Sequence, residues 1–288
     1  PRRRRRAPSR SIRATTSTAK ITKAMKMVAA ARLRKAQEAI ETMRPYSYRL
    51  KDIIAQLAAR ADAEDHPLLA QREPERVRIL MMTSDRGLCG GFNANVNRTT
   101  ERYLKANELG HKETTLDIIG RKGNDYFRRR DANLGRYFDD VLTNVGLEKA
   151  SDIAEKAISD FIEGDLDAVY VIYNEFKSAM TQEVLVEQLL PVVPAEAPED
   201  GHLGEFIYEP SKEALLDAVI PRDITVQIYR MLLESVASEM GARMSAMDNA
   251  TKNAGELIDK LTLQYNRARQ ANITSELMEI ISGAEAIS

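Results

Sequence analysis

Residues whose types and spacing could do chemistry are concentrated in one segment, Ser84–Asn93 (SDRGLCGGFN), which directly follows an apolar run. A glycine-rich turn between a strand and a helix can hold phosphate against backbone N–H groups. This segment fits neither G-x-G-x-x-G nor G-x-x-x-x-G-K-[ST], and no Lys-Ser or Lys-Thr pair follows it. Cys89 could be a nucleophile, but no histidine lies nearby in sequence to activate it. We therefore expect a small buried thiol here, with no catalytic residue and no bound cofactor.

Cysteine and histidine are too sparse for a metal centre or a disulfide framework. Cys89 is the only cysteine, which rules out an internal disulfide and suits a reducing compartment. His66, His111 and His202 are scattered without the spacing of metal ligands. No apolar run approaches the roughly 20 residues that span a bilayer. We expect any membrane association to go through partner proteins.

Charge is distributed unevenly along the chain, although the net charge is only −1. The first acidic residue is Glu38, and Arg2–Arg6 form an unbroken basic run. Such an arm can meet acidic protein loops, phospholipid or nucleic acid, or it can be a solvated tip. A nucleic-acid-binding coiled coil is therefore one alternative function. An enzyme built on Asp85, Arg86 and Cys89 is the other.

The elements that would position these groups begin with a long N-terminal helix. Its seam residues alternate at spacings of three and four, as in a coiled coil: Leu33, Ala36, Ile40, Met43, Ser47, Leu50, Ile54 and Leu57. Upstream, a spacing of four at Ile21, Met25, Ala29 and Leu33 predicts a local change of supercoil. The seam continues through Pro45, so we expect a kink there and one helix from about Arg10 to Arg60.

A second long helix is predicted at the C-terminal end, with Ser211 as its N-cap and with Pro221 separating a short first helix from the long one. Its seam recurs every four residues and then by four and three: Ile224, Ile228, Leu232, Val236, Met240, Met244, Met247, Thr251, Ala254, Ile258, Leu261, Tyr265, Ala268, Asn272 and Ser275. The small seam residues, with Gly241 and Gly255 nearby, favour a close approach of two backbones. A final apolar stripe extends beyond the shorter N-terminal helix and needs another protein to cover it: Ile273, Leu277, Ile280, Ala284 and Ile287.

The middle of the chain reads as an α/β domain. Strands are predicted at Val77–Thr83, Thr115–Ile119 and Ala168–Tyr173, with Val184–Leu190 as an edge strand and helices at Asn93–Asn107 and Glu148–Glu163. Strands that alternate with helices imply a parallel or mixed sheet covered by helices. The expected fold is a long antiparallel coiled coil formed by the N- and C-terminal helices, with an inserted Rossmann-like α/β domain. The expected divisions are a coiled-coil helix at 1–60, the α/β domain at 75–194 and a coiled-coil helix at 209–288.

Three segments resemble the γ subunit of rotary F-type ATP synthases. They are Ile21–Gln37 (ITKAMKMVAAARLRKAQ), Ser84–Asn95 (SDRGLCGGFNAN) and Ala242–Gln270 (ARMSAMDNATKNAGELIDKLTLQYNRARQ). The last is long and idiosyncratic, and the similarity covers nearly the whole chain. The resemblance implies a central shaft without catalytic residues of its own. Its helix pair would enter a ring of three α and three β subunits, and its foot would stand on the membrane-embedded c ring beside the ε subunit.

The resemblance also implies which residues meet the partners. Arg269 and Gln270 match positions that hydrogen-bond a loop of β, and Met25 and Arg243 match positions near the acidic lever of β. We call the ring of α and β subunits the collar. The residues expected to contact it are Lys20, Lys23, Met25, Lys26, Arg243, Arg269 and Gln270. The stripe of Ile273, Leu277, Ile280 and Ile287 would run in an apolar sleeve, and Phe206 and Tyr208 match the foot near the c ring and ε.

Two departures from the family pattern bear on location and regulation. The segment Pro1–Ser11 resembles the family poorly, and the paired regulatory cysteines of chloroplast γ subunits are absent. No targeting extension precedes the matched region, which favours a bacterial protein. The expected place is the cytoplasmic face of the bacterial plasma membrane, reached only through the complex. No nucleic acid is expected as a partner.

Overall fold

The computed structural model describes residues 2–58, 66–107, 113–164, 166–193 and 211–285. Phe206, Tyr208 and Ile287 lie outside these residues. The elements, in chain order, are α1 (Arg2–Ala58), β1 (Arg76–Met82), α2 (Phe92–Asn107), β2 (Glu113–Ile119), α3 (Arg121–Phe127), β3 (Leu134–Phe138), α4 (Leu147–Ile162), β4 (Ala168–Phe176), β5 (Gln182–Leu190) and α5 (Lys212–Glu285).

Two compact units divide the chain. One unit combines Pro1–Ala29 with Met244–Ser288, and the other comprises Ala30–Arg243. The first unit is a helix pair that joins the start of α1 to the end of α5. The second unit holds the sheet together with the remaining parts of both long helices. The predicted divisions at 1–60, 75–194 and 209–288 stay predictions.

The sheet of the second unit is mixed, with the strand order β3-β2-β1-β4-β5. The first four strands run parallel, and β5 pairs with β4 in the antiparallel direction as an edge strand, as predicted. Side chains alternate across β1: Ile79 and Met81 face a core shared with α2 and α3, whereas Leu80 and Met82 face a core shared with α4, α5 and α1. The sheet therefore lies between two helical layers, and the predicted α/β class is confirmed.

Along α1, the predicted seam is correct in its second half and wrong in its first. Leu33, Ala36, Ile40, Ser47, Leu50 and Ile54 are buried. Ile21 is 57% exposed, whereas Thr22 is only 8% exposed. The seam thus keeps its alternating spacing through Thr22, Lys26 and Ala29, and the spacing of four from which a change of supercoil was predicted is not that of the buried residues. Apolar character misled the prediction, because this stretch of the seam uses a threonine.

Helix α1 also begins earlier than expected, at Arg2 instead of about Arg10, and it continues through Pro45 as predicted.

Helix α5 is continuous across Pro221, so the predicted short separate helix is wrong. Leu216, Ile220 and Ile224 are each at most 1% exposed, and their burial on both sides of the proline outweighs the loss of one backbone hydrogen bond. The predicted N-cap is confirmed, because Ser211 Oγ accepts a 3.2 Å hydrogen bond from the N–H of Ala214.

Gly241 and Gly255 of α5 differ in their surroundings. A Cβ added at Gly241 would lie 3.2 Å from Cα of Ala179, in the β4–β5 connection. No atom lies within 4 Å of a Cβ added at Gly255. The backbone that lies close to Gly241 is therefore that of the β4–β5 connection, and not that of the other long helix as expected. At Gly255 the expectation is wrong.

Candidate functional site

The place where an open α/β sheet binds nucleotides is occupied here by the chain itself. The strand order reverses between β1 and β4, and ligands of such sheets bind outside the carboxyl ends of the strands at this point. Helix α5 lies across these ends. The hydroxyl of Ser235 is 3.7 Å from Sδ of Met82 at the end of β1, and Ser238 Oγ donates a 3.1 Å hydrogen bond to the carbonyl of Asn174 in β4. Both serines are fully buried, so the crevice is filled by α5.

The glycine-rich loop after β1 uses its polar groups internally. Asn93 Oδ1 accepts a 2.9 Å hydrogen bond from the N–H of Ser84, and Ser84 Oγ donates to the carbonyl of Arg86 at 2.7 Å. On its other side, Nη2 of Arg243 donates to the carbonyls of Arg86 and Gly87 at 3.3 and 3.2 Å. A guanidinium that binds loop carbonyls stabilises a backbone whose oxygens point toward it. This is the opposite of a phosphate cradle, which presents N–H groups.

The three groups of the enzyme alternative have structural roles. Cys89 is 2% exposed, and burial raises the pKa of its thiol, which disfavours the nucleophilic thiolate. Asp85 accepts hydrogen bonds from the N–H of Arg121 at 2.9 Å and from Oγ1 of Thr143 at 3.1 Å. It therefore ties the loop to the first residue of α3. Arg86 contributes its carbonyl to the contact with α5.

Polar contacts join the two helices of the first unit. Oγ1 of Thr22 and Oγ1 of Thr251 are 2.7 Å apart, and Lys26 Nζ donates a 2.6 Å hydrogen bond to Asp248 Oδ1. The partner number falls as the residue number rises, so the helices run antiparallel, as predicted. Sequence analysis missed Thr22 as a seam residue. The spacing of the known seam, counted backward by four and three from Leu33, would have found it.

The sequence-predicted contact residues are placed as follows. Lys20 and Lys23 are exposed, and Met25 is half-buried on the same helix. Lys26 is engaged with Asp248 in an ion pair. Arg269 and Gln270 are exposed on α5. The stripe residues Ile273, Leu277 and Ile280 are exposed as well, at 46%, 53% and 68%.

Arg243 differs from the other predicted contact residues, because its side chain is only 11% exposed and belongs to the second unit. Besides the loop carbonyls, it binds Glu239 Oε1 at 2.7 Å. Sequence analysis did not single out Glu239, although its spacing of four from Arg243 was a visible signal. The structure therefore places the predicted contact residues in two groups, one on the helix pair and one against the glycine-rich loop.

Within the part of the chain that the structure describes, no three His, Cys, Asp or Glu side chains are grouped so that they could hold a metal ion. Among the same residues, no helix combines the length and apolarity that crossing a membrane requires.

The fold and the site together define a class of protein: an antiparallel pair of long helices joined to a doubly wound domain whose ligand crevice is filled by its own helix. A family model described as ATP synthase matches residues 6–287. The ATP synthase gamma chain of Anaeromyxobacter sp. (strain Fw109-5) is 53% identical over 274 residues, which cover 94% of each chain. That of Geotalea daltonii is 50% identical over 273 residues, again with 94% of each chain covered. This chain belongs to the ATP synthase gamma chain family.

Solved structures agree with this assignment. The central stalk and c-ring structure of the Tetrahymena thermophila mitochondrial ATP synthase contains a chain that is 26% identical, with a TM-score of 0.61. The match covers 80% of this chain and 99% of that one. A chain from the Euglena gracilis mitochondrial ATP synthase (OSCP/F1/c-ring, rotational state 3) gives a TM-score of 0.70 at 20% identity, covering 100% of this chain and 95% of that one. The resemblance found in the sequence and the shaft role that it implied are confirmed, and the chain is a subunit, not an enzyme by itself.

Proposed function

We propose that this chain turns as the central shaft of a bacterial ATP synthase and couples proton flow to ATP synthesis or hydrolysis on partner subunits. Its helix pair enters a collar of three α and three β subunits, and its other partners are the ε subunit and the c ring. The complex holds it at the cytoplasmic face of the plasma membrane. The relatives from Anaeromyxobacter, Geotalea and Geobacter, each named an ATP synthase gamma chain, support the assignment to a bacterial complex.

The observation that carries the proposal is the row of exposed apolar side chains near the end of α5. Ile273, Leu277 and Ile280 are exposed together with Met278 and Ile281, at 46–68%. Five large apolar residues exposed on nine positions near the end of α5 need a partner to cover them. Contacts between apolar surfaces are non-directional, so they can be exchanged while a shaft turns in a sleeve.

Polar residues near the apolar stripe and on α1 would make directional contacts with the β subunits. Arg269 and Gln270 are exposed directly before the apolar stripe, and we assign them to a hydrogen-bonding catch on β. Lys20 and Lys23, which are exposed on α1, are assigned to the acidic lever of β, beside the half-buried Met25. Lys26 and Arg243 belong to the same proposed surface, although each also has a partner within its own unit. Phe206 and Tyr208 are assigned to the foot, and Ile287 to the sleeve.

The test of this assignment is the double variant Arg269→Ala with Gln270→Ala in the assembled complex. We expect a severalfold loss of ATPase turnover, because a catch with charge-assisted hydrogen bonds is removed. The matched control is Gln264→Ala with Arg267→Ala. These two exposed residues have the same types, and at about 100° per residue Arg267 lies about 160° around the helix from Arg269 and Gln264 about 120° from Gln270.

Three outcomes separate the possibilities. Loss of turnover in the catch variant, with a normal control, supports the catch. Equal turnover in both variants contradicts it. If the tagged wild-type chain purifies without α and β subunits, the shaft proposal itself fails.

A further inference from the structure

A buried ion pair lies against the glycine-rich loop, at the last turn of α5 that belongs to the second unit. Glu239 Oε1 is 2.7 Å from Nη2 of Arg243, and the two side chains are only 7% and 11% exposed. The same nitrogen donates to the carbonyls of Arg86 and Gly87. A guanidinium nitrogen of this type carries two protons. One therefore points at the carboxylate and the other is shared between the two carbonyls.

The loop that receives this contact has an unfavourable backbone. Leu88 follows Gly87 directly and has a φ of 64°, a left-handed conformation that L side chains rarely adopt. Its side chain is 64% exposed, so its own packing does little to hold that conformation. Strained residues persist where surrounding contacts over-determine them. The donors on the two preceding carbonyls are such contacts.

We propose that Glu239 is a positioning residue, which holds Arg243 on the loop so that loop and helix α5 move as one body during rotation. The carboxylate fixes one proton of Nη2 and thereby aims the other at the carbonyls of Arg86 and Gly87. Without it, the guanidinium is free to turn away from the loop. We call the contact of Glu239 and Arg243 with the carbonyls of Arg86 and Gly87 the clamp. Its role in rotation rests on the shaft function proposed above, whereas the clamp itself does not.

Cys89 makes the clamp measurable. It is the only cysteine of the chain, it is 2% exposed, and it packs beneath the loop against Phe92 and Ala242. A thiol reagent reaches it only when the loop opens, so the labelling rate at fixed pH reports the population of the open loop. The probe is a small maleimide added in excess to the purified full chain.

We expect Glu239→Ala to raise the labelling rate of Cys89 by about tenfold, the size expected for one lost hydrogen bond to a charged group. Glu239→Gln should raise it less, because its amide oxygen still accepts from Arg243. Arg243→Met should match Glu239→Ala, and the double variant should label no faster than either single variant. This non-additivity distinguishes a residue that acts through Arg243 from one that merely stabilises the helix.

The control is Glu256→Ala, an exposed glutamate on the same helix, which should leave the rate unchanged. Helicity measured by circular dichroism confirms that each variant is folded, and Glu239→Gln keeps the test open if the alanine variant does not fold. An unchanged rate in both Glu239 variants overturns the clamp. So does a double variant whose effect is the product of the two single effects.

The role of the clamp in rotation is tested separately, in membrane vesicles that carry the assembled complex. We expect Glu239→Gln to lower the ratio of protons pumped to ATP hydrolysed, with Glu256→Gln as the control. Faster labelling with a normal ratio overturns the role in rotation while the clamp stands. Failure of the wild-type chain to assemble contradicts the shaft function and leaves the labelling result valid.

Discussion

Thr22 and Thr251 lie 229 positions apart in the chain, yet their hydroxyl oxygens are 2.7 Å apart between the two helices of the first unit. Each hydroxyl can also donate to its own helix: Thr22 to the carbonyl of Ala19 at 3.1 Å and Thr251 to that of Met247 at 2.7 Å. A hydroxyl has one proton. One threonine therefore donates across the pair while the other donates back to its own helix.

This pairing predicts the effect of Thr22→Val. The variant keeps the shape of the side chain and removes one hydrogen bond at a site that is 8% exposed, so we expect a loss of about 1 kcal/mol of local stability. The double variant Thr22→Val with Thr251→Val should recover most of that loss, because no hydroxyl is left facing a methyl group. Amide hydrogen exchange of α1 measures the free energy of opening.

Thr18→Val is the control for this prediction. Thr18 makes the same kind of hydrogen bond to its own helix, to the carbonyl of Ala14 at 3.1 Å, but it is exposed. Its replacement should change the exchange rates by much less than that of Thr22. Equal effects of the two variants would show that the contact between the helices contributes nothing.

A second prediction concerns Asp248. The hydrogen bond and charge of Lys26 hold the pKa of its carboxyl below the ordinary value. A carboxylate with a lowered pKa stabilises the folded state above its unfolded pKa, and this contribution is lost as the pH falls through the folded value. The melting temperature of Asp248→Asn should therefore lie below that of the wild type at neutral pH, and the two should converge in acid. A constant difference down to about pH 2 would contradict the ion pair as its source.

The sequence predicted the strands and helices that carry strong apolar patterns and missed those that do not. β3 is exposed along most of its length, with Leu134 at 38%, so no apolar run announces it. α3 is only seven residues long. The part of α5 around Leu232 was read as a two-helix seam, but it is buried on nearly all sides because it packs on the sheet. Local sequence does not reveal which neighbour covers an apolar face.

At the site, the sequence shows that the glycine-rich segment lacks a nucleotide-binding motif. It does not show what occupies the crevice instead. The crevice is occupied through tertiary contacts: Ser235 and Ser238 fill it, and Arg243 covers the glycine-rich loop from more than 150 positions away in the chain. The contact residues came from family resemblance, because an exposed lysine or glutamine has no local pattern that marks a partner.

Gly241 and Gly255 of α5 predict opposite effects of alanine. Gly255→Ala should raise the stability of the helix pair by about 0.5–1 kcal/mol, since alanine favours helix and its Cβ meets no atom within 4 Å. Gly241→Ala should destabilise the second unit, because its Cβ would lie 3.2 and 3.3 Å from backbone atoms of Ala179, which cannot turn away as a side chain can. Hydrogen exchange of each unit reads the two changes separately. A gain in stability from Gly241→Ala would show that the β4–β5 connection moves to make room for the added Cβ.

The last prediction concerns pH and the start of α5. His66 is 5% exposed, Nδ1 accepts a 3.2 Å hydrogen bond from the N–H of Leu68, and Nε2 lies 3.1 Å from Asp217 Oδ1. An imidazole that accepts at Nδ1 is neutral, with its proton on Nε2. Burial lowers the pKa of His66 below the ordinary value, and the attraction of Asp217 offsets only part of that effect. As the pH falls below about 6.5, the unfolded chain therefore takes up a proton before the folded chain does, and folding stability decreases.

We expect His66→Gln to flatten this part of the stability profile, because glutamine can offer both an acceptor and a donor but cannot titrate. Urea unfolding between pH 7.5 and pH 5 measures the slope. His111→Gln and His202→Gln, made singly, show whether the slope belongs to His66 or to the other two histidines. If the slope survives His66→Gln and disappears in one of the other variants, the neutral state of His66 does not control the acid sensitivity of the fold.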